Sequence, residues 1–187
     1  MIRILMFAAL IFFSEISHAG FMEIGGSVNY RRSAFDSLNY QELISETVAV
    51  SYYFYEMSAI ELSYTNGYSE SSIQPQGNSP LYVSKTNFTL VALDLVFSLA
   101  EREDFFQPYF KIGGGYLKKE VFLQVNRADT DLISLSEGMV PSAGLGFKLM
   151  MSKTLAFKVG IDAWTSPLKQ DPVVVDYAAS GGISWLF

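Results

Sequence analysis

The chain has 187 residues, half of them hydrophobic and 15% aromatic, with 13 basic and 19 acidic side chains and a net charge of −6. An acidic chain with scattered charge offers no electrostatic footprint for nucleic acid, so no nucleic-acid partner is expected. Cysteine is absent and the only histidine is His18, which leaves neither disulfides nor thiolate sites.

Residues 1–19 read as a secretory signal peptide. Arg3 is the charged start, residues 4–13 are an apolar run, and Ser17-His18-Ala19 is a small-x-small cleavage site before Gly20. That run is half the length of a membrane-spanning helix, which needs about 20 residues, although a short N-terminal anchor is the competing reading. Gly rather than Cys at position 20 argues against lipoprotein processing. Cleavage by signal peptidase after passage through the Sec translocon leaves residues 20–187 as one domain and takes His18 away. No later apolar run is long enough for a transmembrane helix, yet mean hydropathy is positive at +0.23. Apolar residues spread by alternation are what strands with one face in lipid require.

Eight alternating segments follow, separated by turn signals. The first, 22–31, puts Ile24, Val28 and Tyr30 on one face and Glu23, Ser27 and Arg31 on the other. The loop SAFDSLNYQE leads to the second, 45–55, with Val48, Val50, Tyr52 and Phe54 opposite Thr47, Ser51 and Tyr53. A tight turn at Glu56-Met57-Ser58 precedes the third, 59–68, with Ile60, Leu62 and Tyr64 opposite Glu61, Ser63 and Thr65. Residues 69–86, with two prolines and many polar side chains, read as a loop. In the fourth segment, 87–99, Val91, Leu93, Leu95 and Phe97 oppose Ala92, Asp94 and Ser98. Its alternation is weaker, so a fully buried strand or a helix also fits.

The fifth segment, 108–118, places Phe110, Ile112 and Tyr116 opposite Lys111, Gly113 and Gly115. Its Gly113-Gly114-Gly115 run lacks the Gly-Lys-Ser/Thr ending and the helix of a phosphate loop, and reads as strand glycine. Residues 120–138 read as a long loop with extended flanks. The sixth segment, 141–150, has Leu145 and Phe147 opposite Gly144, Gly146 and Lys148, and the seventh, 155–164, has Phe157, Val159 and Ile161 opposite Lys158, Gly160 and Asp162. After the loop TSPLKQDP the eighth segment runs from Val174 to Phe187. Its odd positions Val175, Tyr177, Ile183, Trp185 and Phe187 are apolar, while Asp176, Ser180, Gly182 and Ser184 are small or polar.

Long and short connections alternate, as in outer-membrane barrels with short periplasmic turns and longer outside loops. In hydrocarbon a sheet with an open edge leaves backbone groups unpaired, so the first and last strands must pair, around Ile24 to Tyr30. The expected fold is all-β: an eight-stranded antiparallel up-and-down transmembrane β-barrel, closed between strands 1 and 8. Tyr52, Phe54, Phe110, Trp185 and Phe187 fall where an inner aromatic girdle would lie, and Tyr30, Tyr64 and Tyr68 toward an outer one. One parity collects Glu23, Glu61, Asp94, Asp162 and Asp176 with Lys111, Lys148 and Lys158, which predicts a polar, charge-paired lumen facing away from lipid. Eight strands leave room for little more than side chains, so the lumen is expected to be plugged.

The last eight residues carry Ser180, Gly182, Trp185 and Phe187 at polar-x-Gly-x-x-aromatic-x-aromatic spacing. This resembles the signal that bacterial barrel-assembly machinery recognises on the last strand of its substrates. PYFKIGGGY and SAGLGFKLMMSKTLAFKVGIDAW are similar to the later hairpins of the small outer-membrane barrels of the OmpA, OmpX and OmpW types. The resemblance rests on rhythm and glycine placement, covers nearly all of residues 20–187, and implies an eight-stranded barrel contacting outer-membrane lipids in a Gram-negative cell. Without histidine or cysteine in the mature part, the usual nucleophilic and acid–base constellations are missing, so no enzyme, cofactor or metal site is expected. The leading expectation is a structural or surface-interaction role, its surface partner unidentified, with contacts made by the loops near 69–86, 119–138 and 165–173. A narrow channel or conduit for small or hydrophobic compounds is the alternative. A soluble periplasmic lipocalin-like binding barrel, with the two faces reversed, is the third.

Overall fold

A computed structural model describes residues 20–34, 39–74, 80–125, 131–167 and 175–187. The expected signal peptide, 1–19, lies outside them. Among the described residues there are eight strands: β1 (Phe21–Ala34), β2 (Tyr40–Tyr55), β3 (Ser58–Ile73), β4 (Tyr82–Ser98), β5 (Phe106–Val125), β6 (Asp131–Met150), β7 (Leu155–Thr165) and β8 (Val175–Leu186). Each pairs antiparallel with its neighbours in order, and β8 returns to β1, giving a closed up-and-down barrel. The closing ladder runs from Glu23 opposite Leu186 to Asn29 opposite Ser180.

The alternation read from the sequence sets the two faces. Val48, Leu62, Leu93, Ile112, Leu145 and Ile183 point outward and are exposed, while Glu23, Ser51, Glu61, Asp94 and Lys148 point inward and are buried. A soluble ligand-binding barrel needs the reverse arrangement, which is not the one these faces have. Tyr52, Phe110, Trp185 and Phe187 stand on the outer surface toward the short-turn end, and Tyr30, Tyr64 and Tyr68 stand outside toward the other. Phe54 is half-buried beside a register irregularity between Tyr53 and Tyr55.

The register gives the stagger of the barrel. Crossing the strands from Val28 in one direction leads through Glu46, Asn66, Thr89 and Lys118 to Glu137 on β6. In the other direction it leads through Gly181 and Val159 to Phe147 on the same strand. The two arrivals differ by ten residues (147 − 137), so the strands must tilt, by roughly 35–45° for such barrels. The first of these rows is polar from Glu46 onward and climbs with the tilt, marking the outer limit of the apolar band on β2 to β5.

Several strands are longer than the alternation indicated. β2 begins at Tyr40, β3 reaches Ile73 and β4 begins at Tyr82, so much of the expected loop 69–86 is ladder. Residues 120–125 and 131–138, the flanks expected to be extended, are strand and carry on the β5–β6 hairpin. The reason is solvent. Above the membrane both faces of a strand meet water, and the apolar/polar alternation that betrays a lipid-facing strand disappears. The fourth segment is a strand; its weak alternation comes from Leu90 and Val96, which are apolar but point into the lumen and are buried there.

Three turns at the opposite end are compact. Ser98 donates its backbone N–H to the Met57 carbonyl at 2.8 Å, joining the β2–β3 turn to the end of β4. The Gln107 amide bonds the carbonyls of Arg102 (2.8 Å) and Asp104 (3.0 Å), bracing the β4–β5 turn. Ser152 Oγ accepts from the Leu155 N–H at 3.0 Å, closing the β6–β7 turn.

Gly182 and Gly181 test the closing seam. A Cβ on Gly182 would run into the Gly26 carbonyl and lie 2.6 Å from Ser27 Cβ, whereas one on Gly181 meets nothing within 4 Å. Gly182→Val is therefore expected to lose the heat-modifiable gel mobility of a folded barrel, and Gly181→Val to keep it. Equal behaviour of the two variants would contradict this account of the seam.

Candidate functional site

The lumen is the region where the chain concentrates its chemistry, and it is built in layers by the inward parity of every strand. Nearest the short turns, Phe21, Tyr53, Ala59, Val96, Tyr109, Ala156 and Leu186 form a buried apolar cluster, with Met150 packed against it. Phe21 stacks on Tyr53 with ring centroids 4.1 Å apart. The Arg102 guanidinium from the β4–β5 turn lies 4.2 Å from the Phe21 ring, so an aromatic pair is covered by a cation from below.

Above this lies an ionic layer. Lys148 Nζ is 2.6 Å from Glu23 Oε2, and Lys158 bridges Glu23 Oε1 (3.3 Å) and Glu61 Oε2 (3.4 Å). Lys111 joins Glu61 (3.1 Å), Asp162 (3.0 Å) and, at 4.0 Å, Asp94. Four carboxylates and three ammonium groups thus form one chain across the lumen. Hydroxyl groups take up further oxygens: Tyr53 bonds Glu23 Oε2 (2.8 Å), Ser51 bonds Glu61 (3.0 Å), Ser142 bonds Asp94 (2.5 Å) and Ser180 bonds Asp162 (3.2 Å). The Tyr53 hydroxyl also takes a contact from Lys148 Nζ. All eight strands contribute, so the layer cannot assemble before the barrel closes. Inward glycines make the room: a Cβ on Gly144 would sit 2.6 Å from Asp162 Oδ1 and 2.8 Å from Lys111 Cε. Gly113 plays the same part opposite Asp94, where a Cβ would lie 2.5 Å from Oδ1.

The third layer is apolar again: Leu43, Phe88, Leu90, Ala92, Leu117, Val140, Trp164 and Ala178. The polar, charge-paired lumen that was expected is one layer of three: the interior alternates apolar, ionic and apolar. The two apolar layers were readable in the inward parity, where Tyr53, Leu90, Val96, Leu117, Trp164 and Leu186 interrupt the polar residues. Asp176 stands apart from the ionic layer and pairs with Lys119 at 3.3 Å nearer the outer mouth. Lys119 was missed because its segment lacks alternation.

Of the C-terminal residues singled out in the sequence, Ser180 and Gly182 point inward, and Trp185 and Phe187 point outward. The backbone of Phe187 exchanges hydrogen bonds with Met22 at 2.9 and 3.3 Å, so the aromatic end is tied to the start of β1.

Outside the apolar band, at the far end of β2 and β3, Tyr40 and Tyr68 donate to the two oxygens of Glu70 at 2.5 and 2.6 Å. The bond from Tyr40, followed by that from Tyr68, holds the Glu70 carboxyl below the ordinary carboxylate range.

No protein-family model matches the chain, and no curated protein matches it in sequence. Solved structures do match its fold. Neisserial surface protein A is 13% identical with a TM-score of 0.60, the match covering 91% of this chain and all of that one. The outer membrane protein OprG from Pseudomonas aeruginosa is 15% identical with a TM-score of 0.57, covering 90% and 95%. Ail of Yersinia pestis, solved with the heparin analogue sucrose octasulfate, is 12% identical with a TM-score of 0.52, covering 90% and 97%. The fold is that of the small eight-stranded outer-membrane barrels.

Removing one partner from the ionic layer strands a buried charge. Glu23→Ala is expected to cost about 3–5 kcal/mol, because Lys148 loses its only carboxylate among the described residues. Replacing both Glu23 and Lys148 by Met should cost less than the single change, as urea unfolding in detergent micelles would measure. At the outer rim, Tyr40→Phe should raise the Glu70 pKa toward its ordinary value. A depressed carboxyl supports the folded form above its unfolded pKa, and that support is lost as pH falls through the folded value. Carbon-13 NMR titration of Glu70 would follow the change.

Proposed function

We propose that this chain is an integral barrel of the bacterial outer membrane, exported by a cleaved signal peptide and inserted by the barrel-assembly machinery. Its lumen is closed to ions, and its role is structural or one of contact at the cell surface. The observation that carries this reading is the stacked lumen. An ion crossing it would have to part an apolar cluster, a chain of seven paired charges and a second apolar cluster. Separating buried pairs leaves uncompensated charge in a low-dielectric space, which opposes opening as well as conduction. The reading is non-catalytic, since histidine and cysteine are absent from residues 20–187.

Contact falls to the outer ends of β3 to β6, which rise beyond the girdle. Ile73, Tyr82, Leu132, Ile133 and Leu135 are exposed there, where lipid no longer covers them. Exposed apolar residues of this kind suit protein contact. The polar outer face at that level carries Glu42, Glu70, Glu120 and Glu137 against Arg32, Lys85 and Lys118. Such an acidic excess does not suit a polyanion of the kind bound to Ail.

Purified protein in planar bilayers is expected to insert without stepwise conductance. Reproducible single-channel steps from the intact chain would overturn the closed-lumen reading and favour the narrow channel. Glu61→Ala, which frees Lys111 and Lys158 from a shared partner, should bring intermittent openings that the intact chain lacks.

A further inference from the structure

At the short-turn end, the β4–β5 and β6–β7 turns face each other across the foot of β5 and β6. Each is braced from within. In the β4–β5 turn Asp104 Oδ2 accepts from the Glu101 N–H at 3.0 Å, and the Gln107 amide grips the carbonyls of Arg102 and Asp104. In the β6–β7 turn the Met151 and Ser152 N–H groups both donate to the Leu155 carbonyl, at 2.8 and 3.1 Å. The Met150 N–H donates to the Phe105 carbonyl at 2.9 Å and ties one turn to the other. The side chains these turns carry are therefore presented at a set spacing, which lowers the cost of binding something between them.

Between the turns lies a cup of about 540 Å³, a size that suits a small-molecule site. Phe105 and Met150 give it apolar surface, and Met150 packs against the lower apolar cluster of the lumen behind it. Arg102 and Lys153 enter from opposite sides, with Ser152 and Glu103. Two cations and one carboxylate give this lining a net charge of +1. The ion pairs among the described residues are made by Lys111, Lys118, Lys119, Lys148 and Lys158, so Arg102 and Lys153 have no carboxylate partner there. The Arg102 guanidinium rests on the Phe21 ring, an arrangement that keeps its N–H edge available to an anion.

The cup also stands at the membrane boundary. Leu155, which closes the β6–β7 turn, is the register partner of Trp185 in the aromatic girdle at this end. Phe105 and Met151 beside the cup are exposed, at 65% and 68%. Bare apolar side chains next to uncommitted cations suit the level at which acyl chains give way to headgroups.

We propose that this cup holds one anionic phospholipid from the inner leaflet of the outer membrane. Its phosphodiester lies between Arg102 and Lys153, and the start of its chains lies against Phe105 and Met151. The site rests on the outer-membrane reading and adds to it a lipid seated at the periplasmic mouth, beneath the lower apolar cluster. A lining of net positive charge selects a headgroup that is negative overall. A zwitterionic headgroup brings a cation of its own to meet Arg102 and Lys153.

Native mass spectrometry of the barrel released from mixed micelles of phosphatidylglycerol and phosphatidylcholine reads the occupancy. The intact barrel is expected to retain one phosphatidylglycerol in preference to phosphatidylcholine. Lys153→Gln should reduce that preference about fivefold, the upper value of an exposed charge pair. Lys153 is exposed and enters none of the bonds that brace its turn, so this change spares the fold. Adding Arg102→Gln should remove the preference, while Lys85→Gln at the outer rim should leave it as it is. Glycerophosphoglycerol, the same headgroup without chains, should not displace the bound lipid at equal concentration. Equal retention of the two lipids, or a preference that survives the double change, overturns the site. Displacement by the chainless headgroup overturns the lipid as its occupant. Heat-modifiable mobility after folding into phosphatidylcholine vesicles is read on every variant. An intact chain that does not insert counts against the outer-membrane reading, and one that inserts without a lipid preference counts against the cup.

Discussion

Everything in this molecule depends on a sheet that must have no free edge where there is no water. The condition is met by one ladder, Glu23 to Asn29 of β1 against Ser180 to Leu186 of β8. It joins the two ends of the described chain, so no local interaction can substitute for it. Closure with a ten-residue stagger sets the tilt, and eight tilted strands set a bore that side chains can fill. The Gly182 contact with Gly26 and Ser27 lies within this ladder, which is why glycine there is a packing requirement rather than a flexible joint.

With the wall closed, parity does the rest. Side chains that would be costly in lipid are turned inward, where they are too crowded to remain hydrated and must pair with one another. The result is not a hydrophilic pore. Lys158 is held by two carboxylates, Lys111 by three, and Lys148 by Glu23 over the Tyr53 ring. Apolar layers lie above and below this network. Such a network disfavours other registers, since a slip of one residue in any strand would point that strand's members of it at lipid and leave their partners buried without them.

The wall is not of even height. Among the described residues β3 to β6 continue well past the girdle, while β7 ends at Thr165 and β8 is described from Val175. The tall side offers an exposed surface and the low side leaves the upper β1–β8 seam unladdered. The two ends of the molecule therefore differ in kind. The short-turn end is braced by Gln107, Ser152 and the Arg102 cover, and toward the outer end the β1–β8 ladder stops at Asn29 opposite Ser180.

The sequence by itself determined the fold class, the eight strands, their order and which residues face lipid, as at Val48, Leu93 and Ile183. Those features follow from a period of two imposed locally by a lipid–lumen boundary, and such a period is written in neighbouring residues. It did not reveal where β2 to β6 end, because strands in water on both faces carry no such period, and so Lys119 and its pairing with Asp176 went unseen. It also did not show that Glu23, Glu61, Lys111, Lys148 and Lys158 meet, or that Asp176 does not join them. Those partnerships connect residues up to 125 positions apart. Only the register and curvature of the closed barrel decide them, since which inward side chains share a level is a property of the tilt and stagger of all eight strands together.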